Sequence, residues 1–341
     1  GRIEQVGIEN LRLQSAYDVN NLKDEAHRWM AITMESVSDA WIRQVIFEHF
    51  AGSAVFVLPT GNRITVEDCK SLAPVSEIGG QRRNTFWTMG GQTLFQRLYS
   101  EEGYHDFATG FCAPGPNAFV QCTAIHPYSF SGAIDSWASG VLFDVVSIDG
   151  QPLSYKNREQ DGQGAGWAAA NSLLWNCNAS RIDCYKPPTA QNWSYGSWAQ
   201  FGGNGYWESS NENISPRSFY YTQLAQRLNK DVSRQAAIKY IKSEPSSSPT
   251  VEQAAELMAE SKKPATTIGD WVDLAPKRDP ISTSAAGAKN IDQIGYNHPQ
   301  APALAPAMSV TNGWLVRGNE VLQGRHFEAP WWNGTIHPDY L

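Results

Sequence analysis

The sequence predicts an all-β protein of stacked coils, a parallel β-solenoid, on three observations. A short pattern of apolar, any, large apolar and polar residues recurs seven times between residues 11 and 176, at intervals of 19 to 34 residues. Glycine is frequent, at 28 of 341 residues, as a chain that turns often requires. Trp, Tyr and Phe number 13 each beside only 18% charged residues, which suits a stacked core or a surface that meets sugar rings. The same numbers exclude other classes. A net charge of −7 with no Lys/Arg-rich run lacks the basic footprint that nucleic acid needs. No stretch approaches the ~20 apolar residues of a membrane span. Five Cys are too few, and odd in number, for a disulfide scaffold.

The seven copies end at Gln14, Glu48, Glu67, Gln96, Gln121, Asp144 and Asn176. Their third position is always apolar and their fourth always a polar acceptor. Single coils cannot bury their inward side chains, but coils stacked about 4.8 Å apart can. Like residues should then form ladders, with the Gln/Glu/Asp/Asn column as the expected polar one. Phe47, Phe95, Phe143 and Trp175 are the expected core aromatics. Cys122 and Cys177 each follow the fourth position by one and read as core fillers. A β-sandwich with coincidental spacing is the competing fold, although it gives no reason for the third and fourth positions to stay in phase. The strand pattern is already running at Ile8, and no charged and then apolar leader comes before it. This predicts a further N-terminal segment of the same protein.

Repetition fades near residue 200, which divides the chain into coils at 1–205 and a capping region at 206–341. Ser215-Pro216-Arg217-Ser218 starts a helix whose Tyr221, Leu224, Ala225 and Leu228 keep a 3–4 spacing. It is expected to cap the open end of the coils. Residues 242–249 read as a Ser/Pro linker, 251–263 as a second, shorter helix, and 276–308 as an extended segment. Residues 310–322 read as a hairpin around Gly318-Asn319, and the Trp331-Trp332 pair is expected to dock on the coils.

Candidate chemistry is densest between residues 76 and 167. Ser76-Glu77-Ile78-Gly79 and Ser100-Glu101-Glu102-Gly103 share S-E-x-G at a spacing of 24 residues. At one corner of adjacent coils, Glu77 and Glu101 would lie about 5 Å apart, near the separation of paired carboxylates in a retaining glycosidase. The plain alternative is that both Glu hold turns. Downstream corners add Arg82 and Arg83, then His105 and Asp106, then Asp135 and Trp137, then Arg158 and Trp167. His105, Asp106 and Asp135 are the further catalytic candidates. The Arg residues suit a carboxylate or sulfate on a sugar, and Trp137 and Trp167 suit its rings. The Gly162–Gly166 run reads as a turn corner, not a nucleotide loop.

Val75-Ser76-Glu77-Ile78-Gly79-Gly80-Gln81-Arg82-Arg83, Gly164-Ala165-Gly166-Trp167-Ala168-Ala169-Ala170-Asn171 with Leu174-Trp175-Asn176-Cys177, and Pro187-Pro188-Thr189-Ala190-Gln191-Asn192-Trp193 carry a family resemblance. So do Asn312-Gly313-Trp314 and Pro330-Trp331-Trp332-Asn333-Gly334. Together they resemble secreted bacterial proteins of the right-handed parallel β-helix, pectate-lyase-like superfamily. The resemblance implies a polysaccharide or oligosaccharide partner and a secreted, periplasmic or cell-surface location. It identifies no catalytic residue. The several-Asp Ca²⁺ site and catalytic Arg of pectate lyases are not evident, so no cofactor or metal is expected, and Ca²⁺ has no motif behind it. Three functions remain: a glycoside hydrolase, favoured; a polysaccharide lyase acting through His105 or an Arg; and a non-catalytic glycan-binding or adhesin solenoid. Fold does not choose among them.

Overall fold

Alternation of side chains across a pleated strand sets the architecture. In the strand Asn62–Leu72, Ile64 and Val66 point inward and are fully buried. The register carries that inward row from strand to strand: Ile42 beside Val66, Val66 beside Phe95, Phe95 beside Phe119, Phe119 beside Phe143, and Phe143 beside Leu174. None of the six is exposed to solvent. The Phe95–Phe119 and Phe119–Phe143 rings stack at 4.8 Å, one strand spacing apart. Each such pair adds about 0.5–1.5 kcal/mol to its burial.

The computed structural model describes residues 3–232, 250–263, 267–275, 308–311, 314–317 and 320–321. With 44% strand and 12% helix it is predominantly β. Twenty of its strands form one sheet in which every pairing is parallel, consistent with a β-helix solenoid. Gly7–Gln14, Val37–Glu48, Asn62–Leu72 and Gly91–Glu101 are long strands. They continue as the shorter Asn117–Val120, Val141–Asp144, Leu173–Trp175, Trp193–Tyr195 and Tyr206–Glu208. A second column runs through Ser53–Val57, Asn84–Thr88, His105–Thr109 and Ser131–Ala133 to Leu153–Tyr155. Its inward Phe86 and Phe107 stack at 6.0 Å.

The expected polar ladder is corrected by the register. Glu67 does pair with Gln96, but Gln96 then pairs with Val120, Val120 with Asp144, and Asp144 with Trp175. Glu48 lies beside Leu72. The seven copies therefore do not share one phase. What recurs is a left-handed corner one residue after that row: Gln44, Asp68, Arg97, Gln121, Val145 and Asn176 all have φ between 48° and 58°. This conformation costs an L-residue roughly 1–2 kcal/mol. It is offset by backbone bonds to the next coil, such as Gln121 N–H to Asp144 C=O at 2.8 Å and Val145 N–H to Trp175 C=O at 2.8 Å. Trp175 is also corrected: it is half-buried on the outer face, where its Nε1–H donates to the Pro216 carbonyl at 2.9 Å. Phe47, Phe95 and Phe143 are core, as are Cys122 and Cys177. All five Cys are free, and Cys112 alone is exposed.

Helix α1 (Phe219–Leu228) starts at Ser218, whose Oγ accepts the Tyr221 N–H at 3.1 Å. It does not cap an end. Tyr220, Tyr221 and Leu224 pack on outward-facing Leu94, Ala118 and Val120, so the helix covers the side of the sheet. Helix α2 (Val251–Ser261) is one residue longer than α1, not shorter. Helix α3 (Ile268–Leu274) carries a capping box between Thr267 and Asp270. It lies against the sheet through Gly269 on the Tyr99 ring, where a Cβ would approach to 3.1 Å, and through Asp273 on Lys70 at 2.8 Å. Farther on, Trp314–Arg317 pairs antiparallel with Glu320–Val321, the expected hairpin, and Met308–Thr311 adds a third strand. The linker at 242–249, residues 276–307 and the Trp331-Trp332 pair lie outside the described residues.

Candidate functional site

Five of the ten sequence-predicted site residues are bonded to nearby groups of the chain. The register that pairs Ser71 with Ser100 places Leu72, not Glu77, beside Glu101, so the two S-E-x-G segments do not stack. Glu77 is exposed and ion-pairs with Lys23 at 3.0 Å. Glu101 accepts from the Tyr99 hydroxyl at 2.7 Å. Arg82 forms a two-toothed pair with Glu25, which holds the Glu25 carboxyl below its ordinary range. Buried Arg83 donates to the Ser76 hydroxyl at 2.9 Å and the Ser76 carbonyl at 3.0 Å. Asp106 is fully buried and accepts from the Ser100 hydroxyl at 2.5 Å. Its burial pushes the carboxyl up to about 7.

The other five converge on successive turns. His105 is buried with its ring 4.6 Å from that of Phe130, and its Nδ1 lies 2.6 Å from the Phe130 carbonyl. A carbonyl only accepts, so Nδ1 carries the hydrogen. Burial, and then Arg158, push this imidazole down to about 4. Arg158 lies 5.1 Å from the centre of the Phe130 ring and donates to the Ile134 carbonyl. Asp135 is half-buried, with Oδ2 buried and lacking a hydrogen-bond partner. Burial raises its carboxyl to about 6, with Arg158 opposing. The Trp137 N–H donates to the Trp167 carbonyl at 2.9 Å, which ties these two turns together, and the Trp137 side chain is exposed. A carboxyl held near 6 beside solvent keeps a proton close to neutral pH, the property of a general acid. Among the described residues no three His, Cys, Asp or Glu side chains gather as a metal site. No described helix is long and apolar enough to cross a membrane.

A groove of about 800 Å³ opens on the outer face of the sheet. Its floor comes from Asn117–Val120, Val141–Asp144, Leu173–Trp175 and Trp193–Tyr195, one rim from the turns at Gly115, Pro116, Ser139, Gly140 and Asn171, and the other from α1. Trp175, Trp193, Tyr195, Phe219 and Tyr220 give it five aromatic side chains. Trp175 lies 5.7 Å from Tyr195 and 5.1 Å from Phe219, ring centre to ring centre. Asn171 and Gln223 supply amides. The residues lining it include no Asp, Glu, His, Lys or Arg. Sequence reasoning missed this site, because it placed Trp175 in the core and Phe219 and Tyr220 in a terminal cap. The signal was present in Leu173-Leu174-Trp175 and Trp193-Ser194-Tyr195, two strands twenty residues apart that each alternate large outward residues around one inward residue.

Fold and site together define a large parallel β-sheet protein with an aromatic groove on its outer face. A family model described as "Domain of unknown function (DUF6298)" matches residues 205–341. That stretch takes in α1 and so the Phe219, Tyr220 and Gln223 wall of the groove, while the facing floor lies before it. No curated protein and no solved structure matches the chain.

Proposed function

We propose that the chain is a carbohydrate-active protein, a right-handed parallel β-helix that holds a glycan along the groove at Trp175, Trp193 and Tyr195. The observation that carries this is the groove itself, five aromatic side chains over a parallel floor with amides at the rim. Aromatic faces cover the C–H faces of sugars while amides exchange hydrogen bonds with hydroxyls. Right-handedness follows from the strong preference of parallel crossovers for that hand. Such a protein works where polysaccharide is met: outside the cell, at its surface or in the periplasm.

Cleavage is the second reading, with hydrolysis ahead of elimination, and Asp135 favours it. Asp135 stands four residues before Ser139 of the groove rim, within about 14 Å of chain. Its raised carboxyl suits protonation of a leaving glycosidic oxygen. Elimination finds less support. His105 is buried with its imidazole pushed down to about 4, Arg82 is bonded to Glu25, Arg83 to Ser76, and Arg158 to the Ile134 carbonyl.

Trp193→Ala is expected to weaken oligosaccharide binding by about tenfold or more, the equivalent of about 1.4 kcal/mol. Calorimetric titration measures it, and unchanged affinity overturns the groove as the glycan site. Asp135→Asn is expected to abolish release of reducing ends from a polysaccharide panel with the melting temperature preserved. Full release by this variant removes Asp135 as the acid. Products carrying a new C=C ultraviolet band would point to elimination instead.

A further inference from the structure

We infer that the groove selects an uncharged glycan and turns away chains bearing uronate or sulfate; this rests on the groove being the glycan site. Three observations carry it. No Asp, Glu, His, Lys or Arg lines the groove, so a carboxylate laid between Trp175 and Tyr195 would lose water with no cation among the lining residues. One positive feature at its wall, the N-terminus of α1, is already bonded from within. The Asp144 carboxyl, fully buried, accepts from the Ser218 hydroxyl at 2.6 Å and from the Tyr220 N–H at 2.7 Å. The chain as a whole carries a net charge of −7, which disfavours the approach of a polyanion. What the groove offers is apolar surface with neutral polar groups, among them the amides of Asn171 and Gln223 and the hydroxyls of Ser139 and Tyr195, donors and acceptors that match neutral hydroxyls.

This reading reverses the sequence expectation that Arg residues greet an acidic sugar. Arg82 and Arg83 are bonded to Glu25 and Ser76, and neither they nor Arg158 lines the groove. Cationic recognition would have to be added. Gln223, exposed on the α1 rim, is the position where one substitution would add it.

The test is calorimetric titration of the full chain with neutral gluco-, xylo- and manno-oligosaccharides and with oligogalacturonate and oligoguluronate, at low and high salt. At least one neutral class should bind with little salt dependence, and the uronates about tenfold or more weaker. Gln223→Arg should raise oligogalacturonate affinity about tenfold and make it salt-sensitive. A uronate that binds the unsubstituted protein as tightly as any neutral chain, and is lost in Trp193→Ala, overturns the selectivity but keeps the groove. Binding of either class that survives Trp193→Ala, or no binding by any member, overturns the groove reading itself. Should Trp193→Ala fail to fold, Gln223→Arg at its exposed position still decides: no gain for the uronate overturns the inference.

Discussion

The outer face of the sheet is finished in two different ways. Along Asn62–Leu72 and Gly91–Glu101 it is charged and covered. Along Leu173–Trp175 and Trp193–Tyr195 it is aromatic and open. In the covered part, Arg97 at the left-handed corner pairs with Asp68 and with Glu67 at 2.8 Å, and donates to the Tyr221 hydroxyl of α1 at 2.9 Å. The Tyr221 hydroxyl donates onward to Gln96 at 2.8 Å. Trp271 of α3 lies over the same guanidinium at 5.3 Å. In the open part the same corner holds Val145 and then Asn176. Asn176 donates to the carbonyls of Ile214 at 2.9 Å and Arg217 at 3.0 Å, securing the approach to α1 without charge. One repeated backbone position thus latches a helix in one place and leaves room for a groove in another. The difference lies in what the corner side chain can bond.

Arg97→Met should be the most damaging change. It removes the cation that Glu67 and Asp68 share, at a cost of about 3–5 kcal/mol, and takes one bonding partner from the Tyr221 hydroxyl. Because α1 carries Phe219 and Tyr220 into the groove, glycan affinity should fall with stability. Affinity kept in a destabilised protein would show that the two regions are independent. Chemical denaturation and titration read both.

Next comes pH. Burial holds Asp106, Asp135 and Asp144 up to about 7, 6 and 7. Each takes its proton more readily folded than unfolded. Its share of stability is full below the unfolded value near 3.8 and is lost as pH rises through the folded one. His105, pushed down to about 4, acts in the opposite sense and loses stability as pH falls from 6.5. Three carboxyls outweigh one imidazole, so the melting temperature should be higher near pH 5 than near pH 8. Asp106→Asn keeps the acceptor for Ser100 and should remove about 2–3 kcal/mol of that slope. An unchanged slope would exonerate Asp106.

Ser218→Ala should cost about 1 kcal/mol by removing the α1 cap, with a matching loss of groove affinity if the rim frays. Lys70→Met, which breaks the partly exposed pair with Asp273, should cost at most about 1 kcal/mol and leave the groove untouched. A larger loss would mean that α3 steadies both halves of the face.

The sequence foretold much of this fold because inward residues obey a period of two. Phe95 and Phe143 were aligned correctly, and they stack on either side of Phe119. Phe119 itself was placed one position out of phase, because its polar neighbour Gln121 is the corner residue and not the ladder residue. A left-handed φ at Gln, Asp, Arg or Val leaves no mark in composition, so the bend that sets the phase was invisible. The expected stacking of Glu77 on Glu101 did not form, for a related reason. S-E-x-G recurs at one coil's spacing, but Ser76 follows Ser71 by five residues, and only Ser71 is in register with Ser100. The neighbourhood of His105, Asp135, Arg158, Trp137 and Trp167 was legible from their order along successive corners, although the loops that carry them differ in length. The groove was not, since its two rims lie 48 or more residues apart in sequence and meet only when α1 folds back.

The buried thiols give this chain a built-in clock. The register places Cys69, Cys122 and Cys177 in one inward row of the sheet, each fully buried, with the last two held up to about 12 by their surroundings. A thiol-reactive dye reaches such a sulfur only when its own coil opens. Exposed Cys112 reacts at once and calibrates the reagent. The order in which these three and the fourth buried thiol, Cys184, become labelled then reports which end of the stack unzips first, with no probe added to the protein.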